Sequence, residues 1–358
     1  MQASRMKALI AAFMASAITA GVAAAQDGAA TGDTSGKKIA FSNSYAGNSF
    51  RQVMIKSFES MGAKAKADGK IADTAVVSSN NSVTEQASQI QNLILQGYDA
   101  IIVLAGSDTA LNGAIKDACN AGIVVVAFAS GVTEPCAYRV DYDLDSYAKA
   151  ELDFIAGKLG DKPANILEIR GMAGDGFDKR LNEGVKKALA DHPSYKKVGE
   201  VYGQWTATVA QKEVSGILPS LPQIDAVLTQ GGDGYGAAQA FKAADRKLPI
   251  IIMGNRQDEL ALWKQEHDAS GYETFSLGAT PSVSQVAFWV AQQILAGKKV
   301  PKFVEVPLLQ IHQPDLDAWL RAAPEGGVVN ADYPQDLVAK IIDANVNKQP
   351  LPVVPAPK

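Results

Sequence analysis

The stretch Lys38-Ile39-Ala40-Phe41-Ser42-Asn43-Ser44-Tyr45-Ala46-Gly47-Asn48-Ser49-Phe50-Arg51 reads as a short apolar strand, a small polar loop and the start of a helix. That is the first β-loop-α unit of an open sheet. Ligands of such sheets bind in the crevice beyond the carboxyl ends of the strands, so Asn43 and the loop to Asn48 fall at its lip. Asn48 is a good N-cap, which places Ser49, Phe50 and Arg51 in the first helical turn. A cation there opposes the helix macrodipole by roughly 0.3–1 kcal/mol, which marks Arg51 as a candidate ligand contact. The alternative is a surface arginine lying over its neighbours.

Outward from this unit, apolar pieces expected as strands at 74–78, 100–104, 123–128, 138–140, 166–169, 198–202, 226–229, 250–253, 275–277 and 304–311 alternate with amphipathic stretches. In Glu85-Gln86-Ala87-Ser88-Gln89-Ile90-Gln91-Asn92-Leu93-Ile94, for example, apolar residues recur at three- and four-residue intervals, the helical period. Strict alternation with near-continuous apolar strands predicts an α/β fold, with parallel sheets covered by helices on both faces. It runs in two rounds, over 38–140 and 165–277, which predicts two similar Rossmann-like lobes facing a cleft. The chain beyond the leader also exceeds the ~250–300 residues at which a single core stops growing. Gln96-Gly97, Ala121-Gly122 and Ala296-Gly297 supply helix-ending glycines.

Residues 1–25 carry Arg5 and Lys7, an apolar run over 8–20, and Ala23-Ala24-Ala25 before Gln26. This is the pattern of a secretory signal, which predicts export to the periplasm, followed by a flexible lead-in over 26–37. No later segment approaches the ~20 apolar residues of a membrane-spanning helix. The formal charge of −4, with Lys and Arg scattered, gives no footprint for nucleic acid. Cys119 and Cys136 suit an oxidising compartment, either as a disulfide worth ~3 kcal/mol or as two buried thiols. Prolines 314, 324, 334, 350, 352 and 355 punctuate a short helical tail, with an unstructured end expected over 345–358.

Gly232-Asp233-Gly234-Tyr235-Gly236-Ala237 nearly matches a dinucleotide fingerprint, and Arg256 stands where a 2′-phosphate would be held. An exported chain has no expected use for a soluble nicotinamide cofactor. The glycines then serve close packing of a helix start on a strand, with Asp233 facing the cleft. No phosphate loop, His-Glu-x-x-His or Gly-x-Ser-x-Gly turn occurs. His192, His267 and His312 form no cluster, and Asp141, Asp143 and Asp145 lack the glycine and distal glutamate of a calcium loop. Neither a cofactor nor a metal is expected. What does converge on the strand ends is a polar set comprising Asn43, Arg51, Ser107, Asp108, Ser130, Asp175, Asp233, Asn255 and Arg256, with Trp205 as a flat ring. Polar groups beside an aromatic plate suit a carbohydrate.

With these residues in view, the chain resembles the periplasmic sugar-binding proteins of bacterial ABC importers, the type I, ribose- and galactose-binding-like family. The carriers are Asn48-Ser49-Phe50-Arg51, Leu95-Gln96-Gly97-Tyr98-Asp99-Ala100-Ile101-Ile102-Val103 leading to Asp108, Ala121-Gly122-Ile123-Val124-Val125-Val126, Gly171-Met172-Ala173-Gly174, Ile224-Asp225-Ala226-Val227-Leu228-Thr229-Gln230 and Ile252-Met253-Gly254. The resemblance implies two lobes joined by three crossovers, one at 38–141 plus 279–308 and the other at 142–278 plus 309–344. It also implies a non-enzymatic monomer that closes on one small ligand and delivers it to a membrane ABC permease, with a chemoreceptor or sensor kinase as a second partner.

By position, the resemblance makes Asn48, Phe50 and Arg51 ligand contacts, Asp108 a polar cleft residue, Trp205 an aromatic wall and Asp233 the start of a cleft-facing helix. With a one-residue shift it makes Arg180 the arginine expected after Gly174. Two departures bear on the ligand. Ala129-Ser130 stands where the ribose-type pattern has an acid and an arginine, and Arg256 stands in place of another acid. A neutral sugar or polyol is expected, with Asp108 and Asp233 pairing Arg51 and Arg256. A sugar-derived acid and an exported α/β enzyme are the alternatives.

Overall fold

The computed structural model describes residues 28–357, so the expected leader over 1–25 lies outside the described residues. Two parallel sheets organise the chain. The first contains β1 (Lys38–Asn43), β2 (Asp73–Ser78), β3 (Ala100–Leu104), β4 (Val124–Phe128), β5 (Tyr138–Asp141) and β11 (Phe303–Glu305), in the order β11-β5-β4-β3-β1-β2. The second contains β6 (Ala164–Arg170), β7 (Tyr195–Tyr202), β8 (Ala226–Thr229) and β9 (Ile250–Ile251), in the order β7-β6-β8-β9. A further pair, β10 (Ser276–Gly278) and β12 (Leu309–Ile311), is antiparallel and adjoins the second sheet through a Met253–Ser276 bridge.

Parallel strands cannot be joined by tight turns, so most are followed by a helix that returns over a sheet face, β4 and β11 being the exceptions. In the first lobe these are α1 (Ser49–Ala67), α2 (Val83–Leu95), α3 (Asn112–Asn120) and α9 (Val283–Leu295). In the second they are α4 (Leu144–Leu159), α5 (Gly176–Ala190), α6 (Ala207–Ile217), α7 (Gly234–Ala243), α8 (Gln257–Ser270) and α10 (Leu316–Ala322). Polar side chains start several of them: Asn48 accepts from Arg51 N–H, Ser82 from Glu85 N–H, and Asp175 from Phe177 and Asp178 N–H. Between the first sheet, α1 and α9, the rings of Phe41, Phe58, Phe128 and Phe288 pack in a chain, tilted or edge-on, with centroids 5.3 to 5.8 Å apart.

The architecture matches the α/β expectation, and the disulfide Cys119–Cys136 is present, with Cα atoms 6.3 Å apart. Four expectations change. The single strand over 304–311 is two, β11 in the first sheet and β12 beside β10, because Pro307 has no N–H to offer a ladder and the chain changes lobes there. The described part of the lead-in is held in place: Gly28 N–H donates to Asp343, and the Thr34 hydroxyl donates to Lys70 O and accepts from Gln292. The end of the chain is likewise ordered. α11 (Gln335–Asn347) buries Val338, Ala339, Ile341 and Ile342, and Val354 beyond it is buried as well. Finally, α11 packs on α9 and β11, so the last part of the chain lies against the first lobe and not the second. The chain therefore crosses between lobes a fourth time, at Val329-Asn330.

The disulfide closes a loop of 17 residues that ties the end of α3 to the segment after β4. Reducing it should lower the free energy of unfolding by about 3 kcal/mol, measured by denaturant titration with and without a reductant. Free-thiol titration of the unreduced, denatured chain should find none.

Candidate functional site

The β1/β3 neighbourhood in the first sheet and the β6/β8 neighbourhood in the second are the points where strand order reverses, and loops there splay apart to leave a crevice. Asn43 ends β1, and Asp108 and Ser130 follow β3 and β4. Across from them, Asp175 follows β6, Trp205 follows β7, Asp233 follows β8 and Arg256 follows β9. The two sets meet. Arg256 Nη1 reaches Ser49 Oγ of the first lobe at 3.4 Å, and a side-chain carbon built on Gly176 would lie 3.0 Å from Asp108 Oδ2. The lobes are closed on each other.

Several groups at this meeting place are buried without a partner among the described residues: Asn43 Oδ1, Ser130 Oγ and Asp233 Oδ2. Asn43 Nδ2 donates to Tyr45 O and Ser78 Oγ, which aims its oxygen away from those contacts. Asp233 is fully buried, and its Oδ1 accepts from Thr206 N–H at 3.0 Å. Burial, reinforced by the neighbouring Glu259, holds its carboxyl well above the usual range, against the opposing pull of Thr206 and Arg256. A buried polar atom left unpaired is destabilising by about 1–3 kcal/mol, so three together at one crevice call for an occupant.

Arg51 sits in the first turn of α1 as the sequence predicts, and among the described residues only the sulfur of Met54, at 4.0 Å, lies within bonding reach of its guanidinium. Desolvation pulls it down to about 10, with the carboxylate of Asp175 in the other lobe opposing that fall. The expected pairing of Arg51 with Asp108 is therefore corrected. Asp108 Oδ1 is committed to Gly131 N–H at 2.9 Å, and the acid that faces Arg51 is Asp175. Arg256 has Asp233 as its acidic neighbour, but no pair at ion-pair distance is made among the described residues; its Nη2 lies 3.4 Å from Trp205 O. Trp205 itself adopts a left-handed backbone with φ 53° and lies against Gly171, where a built Cβ would fall 2.3 Å from the indole. Phe177 meets that ring edge-on at 6.5 Å.

Other predicted residues have different duties. Asn48 is exposed and caps α1, and Phe50 packs against the core. Arg180 donates to Asp141 Oδ2 at 2.7 Å, an ion pair across the hinge, because Asp141 ends β5 directly above the first turns of α5. Burial raises the Asp141 carboxyl even so, outweighing Arg180. Asn255 Nδ2 donates to Ala279 O in a crossing segment. Asp143 caps α4 and Asp145 pairs with Lys187, so the acidic run serves caps and ion pairs. Among the described residues no group of three or more His, Cys, Asp or Glu is placed to hold a metal. In the Gly232 to Ala237 motif, a Cβ on Gly236 would sit 1.9 Å from Ala207 O, so that glycine is consumed by the contact of α7 with α6.

Sequence reasoning missed two organising side chains. Glu259 is fully buried and accepts from Gly234 and Gly254 N–H at 2.9 Å each and from Arg256 N–H at 3.2 Å, clamping the loops after β8 and β9. Gln230 accepts from Gly171 N–H and donates to Asp178, whose carboxylate holds Arg170 at 2.6 Å. The place of Glu259 three residues after the N-cap Arg256, from which a carboxylate can reach back to the N-cap N–H, was the available signal for the first. Depressions of about 490 Å³ between α7 and α8 and about 420 Å³ beside Arg139, Arg180 and Glu305 are lined by none of Asn43, Arg51, Asp108, Ser130, Asp175, Trp205, Asp233 and Arg256.

The profile of the family described as periplasmic binding protein domain matches residues 39–299. The chain is 33% identical over 187 residues to a xylitol-binding protein of Mycolicibacterium smegmatis, covering 51% of this chain and 53% of that one, so the match spans about half of that relative's length. It is 26% identical over 255 residues to the ribose import binding protein RbsB of Haemophilus influenzae, covering 70% and 85% of the two chains. Among solved structures, an ABC transporter solute binding protein from Thermobispora bispora superposes with a TM-score of 0.79 at 34% identity, over 90% of this chain and 99% of that one.

The Asp233 geometry sets a pH dependence. A carboxyl with a folded-state pKa above its unfolded value binds its proton more tightly when folded, so it subtracts from stability as pH rises above the unfolded value of ~3.9. Asp233→Asn keeps an acceptor for Thr206 and abolishes the ionisation. The variant and the wild type should be equally stable near pH 3, with the variant gaining relative to the wild type as pH climbs to 7. Denaturant unfolding of both proteins across that range checks it.

Proposed function

The chain belongs to the periplasmic binding protein family, and we propose that it is an exported solute-binding protein that captures one small neutral sugar or polyol between its lobes and delivers it to a membrane ABC permease. The observation that carries this reading is the mixture of unsatisfied groups at the meeting strand ends. Asn43 Oδ1 accepts, Ser130 and the protonated or ionised Asp233 Oδ2 can do either, and Arg51 donates without an ion-pair partner among the described residues, with Asp175, the cap of α5, as the acid across from it. A hydroxyl can accept from Arg51 and donate to Asp175 at once, and a polyhydroxylated molecule repeats that double capacity along its length. A carboxylate would satisfy the arginine but meet Asp108 and Asp175 as like charges. Trp205 offers the C–H face of such a molecule an apolar plate.

The ligand set on this reading is Asn43, Arg51, Asp108, Ser130, Asp175, Trp205, Asp233 and Arg256, with Asn48, Phe50, Arg180 and Asn255 shaping its surroundings. The names of the relatives, a xylitol-binding protein and a ribose import binding protein, support a polyol or pentose class. They also favour a place in import over catalysis. A leader over 1–25 removed on export would put the mature chain in the periplasm as a monomer, where the closed form is what a permease, chemoreceptor or sensor kinase would read.

Thermal-shift screening of neutral sugars and polyols beside aldonic and uronic acids tests the ligand class, since a ligand binding only the folded state stabilises by RT ln(1 + [L]/Kd). Neutral compounds should raise the midpoint, and stabilisation by acids alone would overturn the reading. Arg51→Ala should weaken the identified ligand by about 10- to 100-fold, the loss of a hydrogen bond from a charged donor, measured by calorimetry.

A further inference from the structure

The chain passes between the lobes at four places, and these differ in how much free backbone they contain. The first leaves Tyr142 between the end of β5 and Asp143, the cap of α4. The second leaves Thr280 and Pro281, whose carbonyls accept from Val283 and Ser284 N–H at the start of α9, between Ala279, whose carbonyl is bonded by Asn255, and Ser282, whose N–H is bonded to Asn330. The third leaves Pro307 and Leu308 between Val306, bonded to Asp141 O, and the start of β12. The fourth leaves none. Val329 N–H donates to Asn255 O at 2.9 Å in the second lobe, and the very next residue, Asn330, donates through Nδ2 to Ser57 Oγ at 2.8 Å in the first.

We propose that this fourth crossing is a stop that sets how far the lobes can part. Hinge opening needs a few residues whose φ and ψ absorb the rotation. Peptide planarity leaves three backbone torsions, φ and ψ of Val329 and φ of Asn330, with the side-chain torsions of Asn330, between the two anchors. Opening past what these few torsions allow has to break one set of bonds. On the second lobe the set comprises Gln257 N–H to Gly327 O, Val329 N–H to Asn255 O and an antiparallel bridge between Arg256 and Val328. On the first it comprises Asn330 to Ser57, the Ser282 hydroxyl to Ala331 O, and Tyr333 N–H to Gln285 Oε1 at 2.9 Å. Val328 and Val329 are buried, so neither set frays into water. The strap also acts at the crevice itself, since it is bonded on one side to the loop of Asn255 and Arg256 and on the other to α1, the helix that carries Arg51.

The test uses ligand-free protein, so it stands or falls independently of the ligand class proposed above. The full chain is unfolded in guanidinium with its disulfide intact, dialysed free of small molecules, refolded, and its radius of gyration measured by small-angle X-ray scattering. Inserting Gly-Ser-Gly between Val329 and Asn330 adds slack while keeping both anchor sets, and should shift the radius above that of the wild type. Asn330→Ala, which releases the fastening to Ser57 and Ser282, should shift it in the same direction by less. A folded insertion variant with the wild-type radius would overturn the proposal. Should the insertion prevent folding, an unchanged radius for Asn330→Ala overturns it instead.

Discussion

Parallel pairing is the constraint on which the rest of this structure depends. Two parallel neighbours cannot be joined by a hairpin, so most strands are followed by a segment that travels back over a sheet face. The consequence is directional: all loops that leave carboxyl ends gather on one edge of each sheet, and in both sheets that edge faces the other lobe. The site is thus an outcome of sheet topology before it is an outcome of any residue. Asn43, Asp108, Asp175, Asp233 and Arg256 share no sequence neighbourhood, and they meet because each follows a strand.

Electrostatics then decides what that meeting place tolerates. Two arginines from opposite lobes are brought under cover with no carboxylate at ion-pair distance among the described residues. Removing a charge from water without a partner is expensive, and Asp175 and Asp233 offset this only from a distance. Within the second lobe the opposite problem arises, because Asp233 and Glu259 crowd a single low-dielectric region. Glu259 is kept there by three backbone N–H groups, and in return it fixes the loops that present Asp233 and Arg256. Rigid presentation on one lobe and unsatisfied groups on both are complementary halves of a recognition site.

The fold was legible because its signal is periodic and repeated: apolar strands and amphipathic helices in alternation survive errors at individual boundaries. Arg51 was legible for a different reason, since a cation in the first turn of a helix is a local anomaly that asks for an explanation. Arg180 was not, because its partner Asp141 is 39 positions away and only the hinge brings them together. The same limit hid the choice of Asp175 over Asp108 as the acid facing Arg51. α11 was misplaced because an amphipathic helix advertises that it packs, and nothing in its own pattern names the surface; α9 and β11, which receive it, are themselves far upstream. The proline-rich end read as unstructured for a related reason, since burial of Val354 depends on a neighbour that composition does not reveal.

The four crossings also determine the order in which this molecule can come into being. The second lobe's sheet is drawn from one continuous stretch, β6 to β9, whereas the first lobe's sheet needs β11, and its outer layer needs α9 and α11. In effect the second lobe's parallel sheet is an insertion and the first lobe its host. A chain emerging from its amino end can assemble the inserted sheet while the host sheet still lacks an edge strand and two covering helices. The host must therefore wait, with apolar surface uncovered, until nearly the last residue has arrived, and such long-range closure is intrinsically slow. The larger sheet is complete only once β11 (Phe303–Glu305) has arrived, and its covering layer only with α11 (Gln335–Asn347).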